Sequence, residues 1–214
     1  MKIRIAYLTV VLATLLSADF VAAQKMERPK DREPGDRAVF NYTVNGKTQT
    51  LEENWIALTD EDMVGIHKVG GKDYEIAMTR SSYQMRKALC FPNGQQMCAY
   101  APPLNIVDFP LEKGKKWTNT FTVTGESFTA EVVEERAVDR FEAVKVPAGE
   151  FETCKITSSG RIKSRDGKGG VYTGREESSF WVALISGKMI TVKVAYKNSF
   201  GEKFALELIS ASFK

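Results

Sequence analysis

The stretch from Val144 to Ile156 constrains the fold of this chain more than any other. It reads Val-Lys-Val-Pro-Ala-Gly-Glu-Phe-Glu-Thr-Cys-Lys-Ile. Proline fixes φ near the value that opens a turn, and glycine tolerates the left-handed region that closes one. Apolar and polar residues alternate on both sides of this turn, as they do in half-buried strands. The stretch therefore predicts a β-hairpin that turns at Pro147 to Gly149.

Alternation of the same kind runs through most of the chain. In Ile190 to Tyr196 every second residue is a large apolar one, and Asn45-Gly46 and Gly70-Gly71 supply further hairpin turns. The strands number about a dozen, and the pattern of Ser81 to Phe91 fits either a strand or the start of a short helix. We predict an all-β fold, an antiparallel and strongly curved sheet that is half-barrel or sandwich-like.

The first 23 residues have the pattern of a secretory signal peptide. Lys2 and Arg4 precede an apolar run of twelve residues from Ile5 to Leu16, and small residues follow up to Ala23. A membrane-spanning helix needs about 20 apolar residues, so this run is too short for an anchor. We expect cleavage after Ala23, no transmembrane anchor afterwards, and a periplasmic or secreted location.

Composition divides the chain that remains. Residues 24–37 are charged, contain two prolines and predict a disordered leader. Residues 38–214 are expected to form a single β domain, with two smaller domains as the alternative. Cleavage removes Lys2, Arg4 and Asp19, so the formal charge becomes +2 (+3 − 2 + 1). This mild charge gives no reason to expect a nucleic-acid partner.

The cysteine positions indicate a disulfide. Cys90 and Cys98 flank a Pro-Asn-Gly turn signal, and in an oxidising compartment we expect them to pair. Two free thiols or a metal site are the alternatives. Cys154 shares a strand face with Ile156, so we expect an inert buried thiol there rather than a nucleophile.

The sequence lacks the residue patterns of catalysis. His67 is the single histidine, and because no Gly-x-Ser-x-Gly elbow or Cys-His motif accompanies it, we interpret it as a solvated residue at a strand end. Adjacent glutamates such as Glu134-Glu135 and Glu176-Glu177 point to opposite faces of a strand and cannot act together. No metal-ligand spacing is present. We predict that the protein is not an enzyme and uses no metal or cofactor.

The longest irregular stretch is a candidate ligand-binding segment. Residues 101–110 contain three prolines, which disfavour a sheet interior, together with the apolar Leu104, Ile106 and Phe109. We predict that this segment is a flap that crosses an open end of the sheet.

A row of cations is the second candidate. Arg161, Lys163 and Arg165 alternate along one predicted strand, so their side chains share one face. This row could meet an anionic lipid headgroup or an envelope polymer. An ordinary solvated face that protects an edge strand is the alternative interpretation.

Three motifs follow one another in the second half of the chain: Phe109-Pro-Leu-Glu-Lys-Gly-Lys-Lys-Trp117, Val146-Pro-Ala-Gly-Glu-Phe, and Phe180-Trp-Val-Ala-Leu-Ile-Ser-Gly before Lys188. Their order resembles a group of exported bacterial β-proteins catalogued as a domain of unknown function, over about Phe109 to Lys214. The resemblance implies a periplasmic or secreted antiparallel sheet, a curved half-barrel similar to the lipoprotein-carrier fold. These motifs are turns and packing positions, so the resemblance implies no catalytic residue.

We interpret the chain as an exported envelope protein that binds an apolar or amphipathic ligand, such as a lipid or another envelope component, in its curved sheet. The alternative is a structural or protein-interaction module of the envelope without a small-molecule ligand. The many large apolar residues would fill a closed sandwich but would line a groove in a half-barrel. Patterning leaves both possibilities open.

Overall fold

The computed structural model describes residues 25–90 and 96–214. The predicted signal peptide and most of the segment between Cys90 and Cys98 lie outside these ranges. The described chain consists of fourteen β-strands: β1 (Lys25–Met26), β2 (Arg37–Val44), β3 (Lys47–Leu58), β4 (Asp62–Val69), β5 (Lys72–Thr79), β6 (Met85–Leu89), β7 (Met97–Leu104), β8 (Leu111–Glu112), β9 (Lys116–Thr124), β10 (Phe128–Val146), β11 (Gly149–Asp166), β12 (Val171–Ile185), β13 (Lys188–Asn198) and β14 (Lys203–Ser212). Within residues 25–90 and 96–214, no helical segment has the length and apolar character needed to cross a membrane.

Twelve of the strands form one closed antiparallel barrel, in the order β10-β11-β12-β13-β14-β2-β3-β4-β5-β6-β7-β9. The predicted curved, antiparallel all-β fold is confirmed, and its curvature is strong enough to close the sheet. Most neighbours are hairpins. Two pairings join strands that are not consecutive, β14 with β2 and β7 with β9. The short strands β1 and β8 form a separate two-stranded sheet.

The predicted hairpin at Pro147 to Gly149 is confirmed, and it is the longest in the molecule. Its strands β10 and β11 pair from Val146 opposite Gly149 to Phe128 opposite Asp166. The register shifts by one residue between Val138 and Arg140, which is a β-bulge. The alternation alone predicts two strands, 127–136 and 141–146, where the structure has the single strand β10, because the bulge interrupts the alternation without ending the strand.

The hairpin turns place the two ends of the barrel. Asn45 and Gly46 both have positive φ, 46° and 84°, as do Gly70 and Gly71, so both predicted turns are confirmed. Together with the turns at 125–127, 167–170 and 199–202, they lie at one end, which we call the open end. Segments 25–36, 80–84 and 105–115 lie at the opposite end, which we call the closed end.

The structure corrects the predicted disordered leader. Of its residues, 25–37 are ordered against the closed end, where Met26, Arg32 and Asp36 are buried. Lys188 of β13 donates hydrogen bonds to Glu33 and Asp36 at 2.9 and 3.1 Å. The segment looks disordered in sequence because its charges find their partners in distant strands of the barrel, from Glu53 for Arg32 to Lys188 for Glu33 and Asp36.

The structure also corrects part of the predicted flap. Residues 101–104 belong to β7, although Pro102 and Pro103 cannot donate to a sheet ladder. They are accommodated because the pairing of β7 with β6 skips from Ala99 to Leu104. The remainder of the flap does cover one end of the barrel, where Val107 and Leu111 are fully buried among the residues of the closed end.

Candidate functional site

The barrel is filled at the closed end and hollow toward the open end. A cavity of about 630 Å³ occupies the hollow half. Its mouth lies at the open end, since two of its lining residues there, Tyr172 and Phe200, keep 51% and 46% of their surface exposed. Such a volume lies within the range of small-molecule binding pockets, about 300–1,000 Å³.

The cavity wall is mostly apolar and rich in aromatic rings. Inward-facing positions of β9, β10, β13 and β14 supply much of it, because alternate residues of each strand face the barrel interior. Tyr100 and Phe121 contact each other with ring centroids 5.9 Å apart, and Tyr196 stacks on Phe204 at 5.0 Å. The remaining large apolar lining residues are Met85, Leu104, Ile106, Val123, Phe128, Val132, Ile162, Tyr172, Phe180, Val194, Phe200 and Leu206.

A row of polar residues crosses this apolar wall from strand to strand. The strand register places Asn119, Glu134, Gly160, Glu176 and Asn198 side by side on five consecutive strands, β9 to β13. Neighbours in such a row interact directly across the sheet. The row therefore contains two carboxylates that are separated by a glycine.

One carboxylate, Glu134, is neutralised by Arg136 of the same strand. Arg136 Nε and Nη2 lie 2.6 and 3.3 Å from the two oxygens of Glu134, and both side chains are buried. Asn119 Nδ2 donates a further hydrogen bond to Glu134 at 2.8 Å. The guanidinium also packs over the ring of Phe180, 5.0 Å from its centroid. This ion pair is internally satisfied, as a buried pair must be to persist.

The other carboxylate, Glu176, lacks such compensation. Its hydrogen-bond donor is the Tyr196 hydroxyl, 3.2 Å from Oε2. Burial, followed by the charge of Glu134, raises the pKa of Glu176 to about 7, against the hydrogen bond from Tyr196 and the more distant charge of Arg136. Tyr100 faces the same groups, and burial together with the charge of Glu176 raises its pKa to about 12.

Gly160 lies between the two carboxylates in the row, where β10 approaches β11 closely. A Cβ atom there would lie 2.8 Å from Cβ of Glu134 and 3.0 Å from the carbonyl oxygen of Val133. No side chain fits without movement of the neighbouring strand. The close approach of the two strands at this point therefore requires a glycine.

The closed end holds a contrasting carboxylate. Glu53 accepts hydrogen bonds from Arg32 Nη2 at 3.1 Å, Trp55 Nε1 at 2.9 Å and His67 Nε2 at 3.2 Å. Although burial opposes ionisation, the hydrogen bond from His67 and the charge of Arg32 hold the pKa of Glu53 at about 2. His67 is buried, so its interpretation as a solvated strand-end residue is wrong. The alternating pattern of β4 turns it inward.

The predicted ligand-binding residues occupy three different places. Leu104 and Ile106 line the cavity. Phe109 instead contacts Tyr83 edge-on at 5.8 Å within the closed end. The predicted disulfide between Cys90 and Cys98 is confirmed, and both residues lie in the cavity wall, near the open end. Cys154 is buried as expected, and burial raises the pKa of its thiol to about 12.

The cationic row faces away from the cavity. Arg161, Lys163 and Arg165 are all exposed on the outer surface of β11, while Ile162 and Ser164 between them line the cavity. The row keeps the predicted common face. The structure does not bring it together with Leu104 and Ile106.

Sequence reasoning missed the polar row. Glu134 and Arg136 occupy the same inward register as Ala130, Val132 and Val138, so two charges in an otherwise apolar register were a readable signal. The pairing of Glu134 with Glu176 was not readable, because it depends on the register of β10, β11 and β12 together. In the described part of the chain, no group of three or more His, Cys, Asp or Glu residues is arranged to hold a metal ion.

Comparison of the folded chain with solved structures reveals similar folds. A Bacteroides fragilis protein with a YmcC-like fold, inferred to be exported, matches with a TM-score of 0.58 at 15% identity, covering 89% of this chain and 99% of that protein. This similarity establishes a shared fold alone.

Two further matches are weaker. A lipoprotein inferred in Parabacteroides distasonis has a TM-score of 0.49 at 8% identity, covering 85% of this chain and 96% of that one. The hypothetical lipoprotein YmcC of Escherichia coli has a TM-score of 0.47 at 8% identity, covering 82% and 84%.

Sequence comparison adds nothing to these folds. No protein-family model matches the chain, so the resemblance to a catalogued family of exported β-proteins stays a prediction. The search of curated proteins also yields no significant match.

Proposed function

We propose that this protein is an exported, non-enzymatic binding protein that holds an amphipathic small molecule in the hollow half of its barrel. The observation that carries the proposal is a cavity of about 630 Å³ that is open at one end and has apolar walls crossed by the polar row. An amphipathic ligand matches this combination, because its apolar part can bury surface along the wall while its polar part meets the polar row.

Export is supported by three independent features. The first 23 residues have the signal-peptide pattern, and Cys90 pairs with Cys98 as is usual in oxidising compartments. The Bacteroides fragilis protein that shares the fold is itself inferred to be exported. We therefore propose a periplasmic or secreted location.

A non-enzymatic role is supported by the chemistry around the polar groups. Cys154 is buried with a raised pKa, and thiols react as thiolates. His67 is enclosed with Glu53 and Arg32 and is not among the described residues that line the cavity. Neither group faces the cavity where a substrate would lie.

An envelope-interaction module is the second candidate, and one observation favours it. Arg161, Lys163 and Arg165 form an exposed cationic row outside the barrel, which could contact an anionic surface independently of the cavity. Reversal of all three charges would remove such a contact and leave the cavity unchanged.

The ligand proposal is tested by filling the cavity. Ser164 faces the cavity from β11, so Ser164→Trp should fill the part of the cavity nearest the open end. Thr129→Trp is the control, because it places the same side chain on the outer face of the adjacent strand β10. We expect the wild type and Thr129→Trp to bind the neutral dye N-phenyl-1-naphthylamine, with a rise in fluorescence, and Ser164→Trp to lose this binding. Native mass spectrometry of the wild type should also reveal a co-purifying amphiphile.

Circular dichroism and thermal melting of both variants establish that they are folded. A wild-type protein that neither binds the dye nor carries an amphiphile would contradict the proposal. So would a folded Ser164→Trp variant that binds the dye as well as the wild type does.

A further inference from the structure

We propose that the polar end of the ligand is an ammonium group, held beside Glu176 among the aromatic rings of the cavity. This inference rests on the proposed function, because it names the chemical class of ligand for the same cavity. It follows from the charges, the ion pairs and the aromatic rings of that cavity.

The charges that line the cavity are predominantly negative. Arg136 is the single lysine or arginine among the described lining residues, against four acidic ones, Glu134, Asp166, Glu176 and Glu202. Asp166 is at the rim, where it accepts hydrogen bonds from the backbone of its own turn. The excess of acidic groups favours a cationic ligand over an anionic one.

The one cation of the cavity is already occupied. Arg136 binds both oxygens of Glu134 and lies 3.4 Å from the carbonyl oxygen of Ile106 through Nη1. An anionic headgroup such as a carboxylate would have to displace Glu134 from this buried pair, which is strongly unfavourable. The cavity is therefore poorly suited to a fatty acid or a phosphate.

Glu176, by contrast, is available to a ligand. Among the described residues, no cation forms an ion pair with it, and the Tyr196 hydroxyl occupies one of its oxygens. Glu176 is half-buried without a counter-ion, which is unfavourable, so a ligand cation at this position would relieve that cost. Gly160 contributes no side chain between Glu134 and Glu176 in the row, and the charge of Glu134 acts on Glu176, so both carboxylates favour a cation in this part of the cavity.

Aromatic rings complete the arrangement. Tyr100, Phe121, Tyr196 and Phe204 all line the cavity around this row. The faces of such rings attract cations, and quaternary ammonium groups are recognised by cages of this composition. Phe180 already carries the guanidinium of Arg136 on its face, at 5.0 Å, which demonstrates the interaction within the same cavity.

The test compares three ligands that share one decyl chain and differ in charge: decylammonium, decanol and decanoate. Each is titrated against the bound neutral dye at pH 8, where Glu176 is ionised. We expect wild-type protein to bind decylammonium at least about tenfold more tightly than either of the others. Glu176→Gln should reduce this preference to less than about threefold.

Glu177→Gln is the matched control, because Glu177 is adjacent in sequence but exposed on the outer face, where it pairs with Lys197 at 2.8 Å. It should keep the wild-type preference. Equal or tighter binding of decanol or decanoate by the wild type would overturn the inference and leave the proposed function intact. An unchanged preference in Glu176→Gln would also overturn it. If none of the three ligands and no dye binds, the proposed function itself fails.

Discussion

At the closed end of the barrel, Glu53 is surrounded by Arg32, His67 and Trp55, whereas in the hollow half Glu176 has the Tyr196 hydroxyl and an acidic neighbour. Both carboxylates are inside the same sheet. The first pKa is lowered to about 2 and the second is raised to about 7. Burial acts in the same direction on both, so the difference comes from their partners.

Glu53 and its partners stabilise the fold, whereas Glu176 has the features of a binding site. At the closed end Glu53 is paired with Arg32 of the segment 25–36 and with His67, although Arg32 Nη1 and His67 Nδ1 are buried without a hydrogen-bond partner. The hollow half leaves one charge unmatched and remains accessible from outside. A protein that tolerates such a carboxylate gives up stability there, as binding sites commonly do.

The largest expected effect is at the closed end. Glu53→Gln keeps the size of the side chain but leaves Arg32 as a buried cation without its partner. We expect the free energy of unfolding at neutral pH to fall by about 3–5 kcal/mol. Chemical denaturation measures this, with Glu52→Gln as the exposed neighbour for comparison. A loss below about 1 kcal/mol would remove the contrast between the two ends.

In the hollow half the same substitution should have the opposite sign. The folded pKa of Glu176 lies above its ordinary value of 4.5, so its ionisation destabilises the fold increasingly between pH 4.5 and about 7. Glu176→Gln should therefore raise the free energy of unfolding by about 3 kcal/mol at pH 8 and change it little at pH 4. Denaturation at the two pH values measures the difference. A destabilised variant at pH 8 would mean that Glu176 has a compensating partner.

Loss of the disulfide should affect the stability of the fold and the wall of the cavity together. Cys90 and Cys98 close a loop at the open end, far from Glu53. Replacement of both by serine should lower the free energy of unfolding by about 2.6 kcal/mol, since a closed loop of nine residues restricts the unfolded chain by roughly that amount. Dye binding should weaken as well, because both residues line the cavity. Unaltered dye binding in a folded variant would indicate that this part of the wall is dispensable.

The smallest effect is expected at the glycines of the cavity wall. Gly160→Ala brings a methyl group against the backbone of β10, whereas Gly174→Ala meets the side chains of Phe200 and Ser199, which can rotate away. We expect a cost of about 1–3 kcal/mol for the first and clearly less for the second. Thermal melting of the two variants compares them. Equal melting temperatures would mean that the strand at Gly160 adjusts easily.

Much of the barrel could be predicted from sequence because its pairing is mainly local. Asn45-Gly46 and Pro147 to Gly149 specify their hairpins through residues that are adjacent in the chain. The closure of the sheet could not, since the pairing of β14 with β2 joins residues at least 160 positions apart. The burial of Arg32 could not be predicted either, because its contact with Glu53 forms only when the segment 25–36 packs against the barrel.

Only part of the cavity could be predicted, because local patterns can be read from sequence and long-range pairings cannot. Leu104 and Ile106 were identified from their apolar character within a proline-rich segment, and both line the cavity. Within one strand only Glu134 and Arg136 gave a readable signal, as two charges in the apolar register of β10. The polar row arises from the alignment of five strands, and an alignment of that kind depends on registers that a single sequence does not reveal.

Gly160 fixes how closely β10 and β11 approach each other. Side chains that line a pocket usually rotate to suit different occupants, but the spacing of the backbones that carry Glu134 and Glu176 is set by the hydrogen bonds between three neighbouring strands. This spacing does not widen for a larger ligand. If an ammonium group binds beside Glu176, we therefore expect a slender cation to bind more tightly than a bulky one of equal charge.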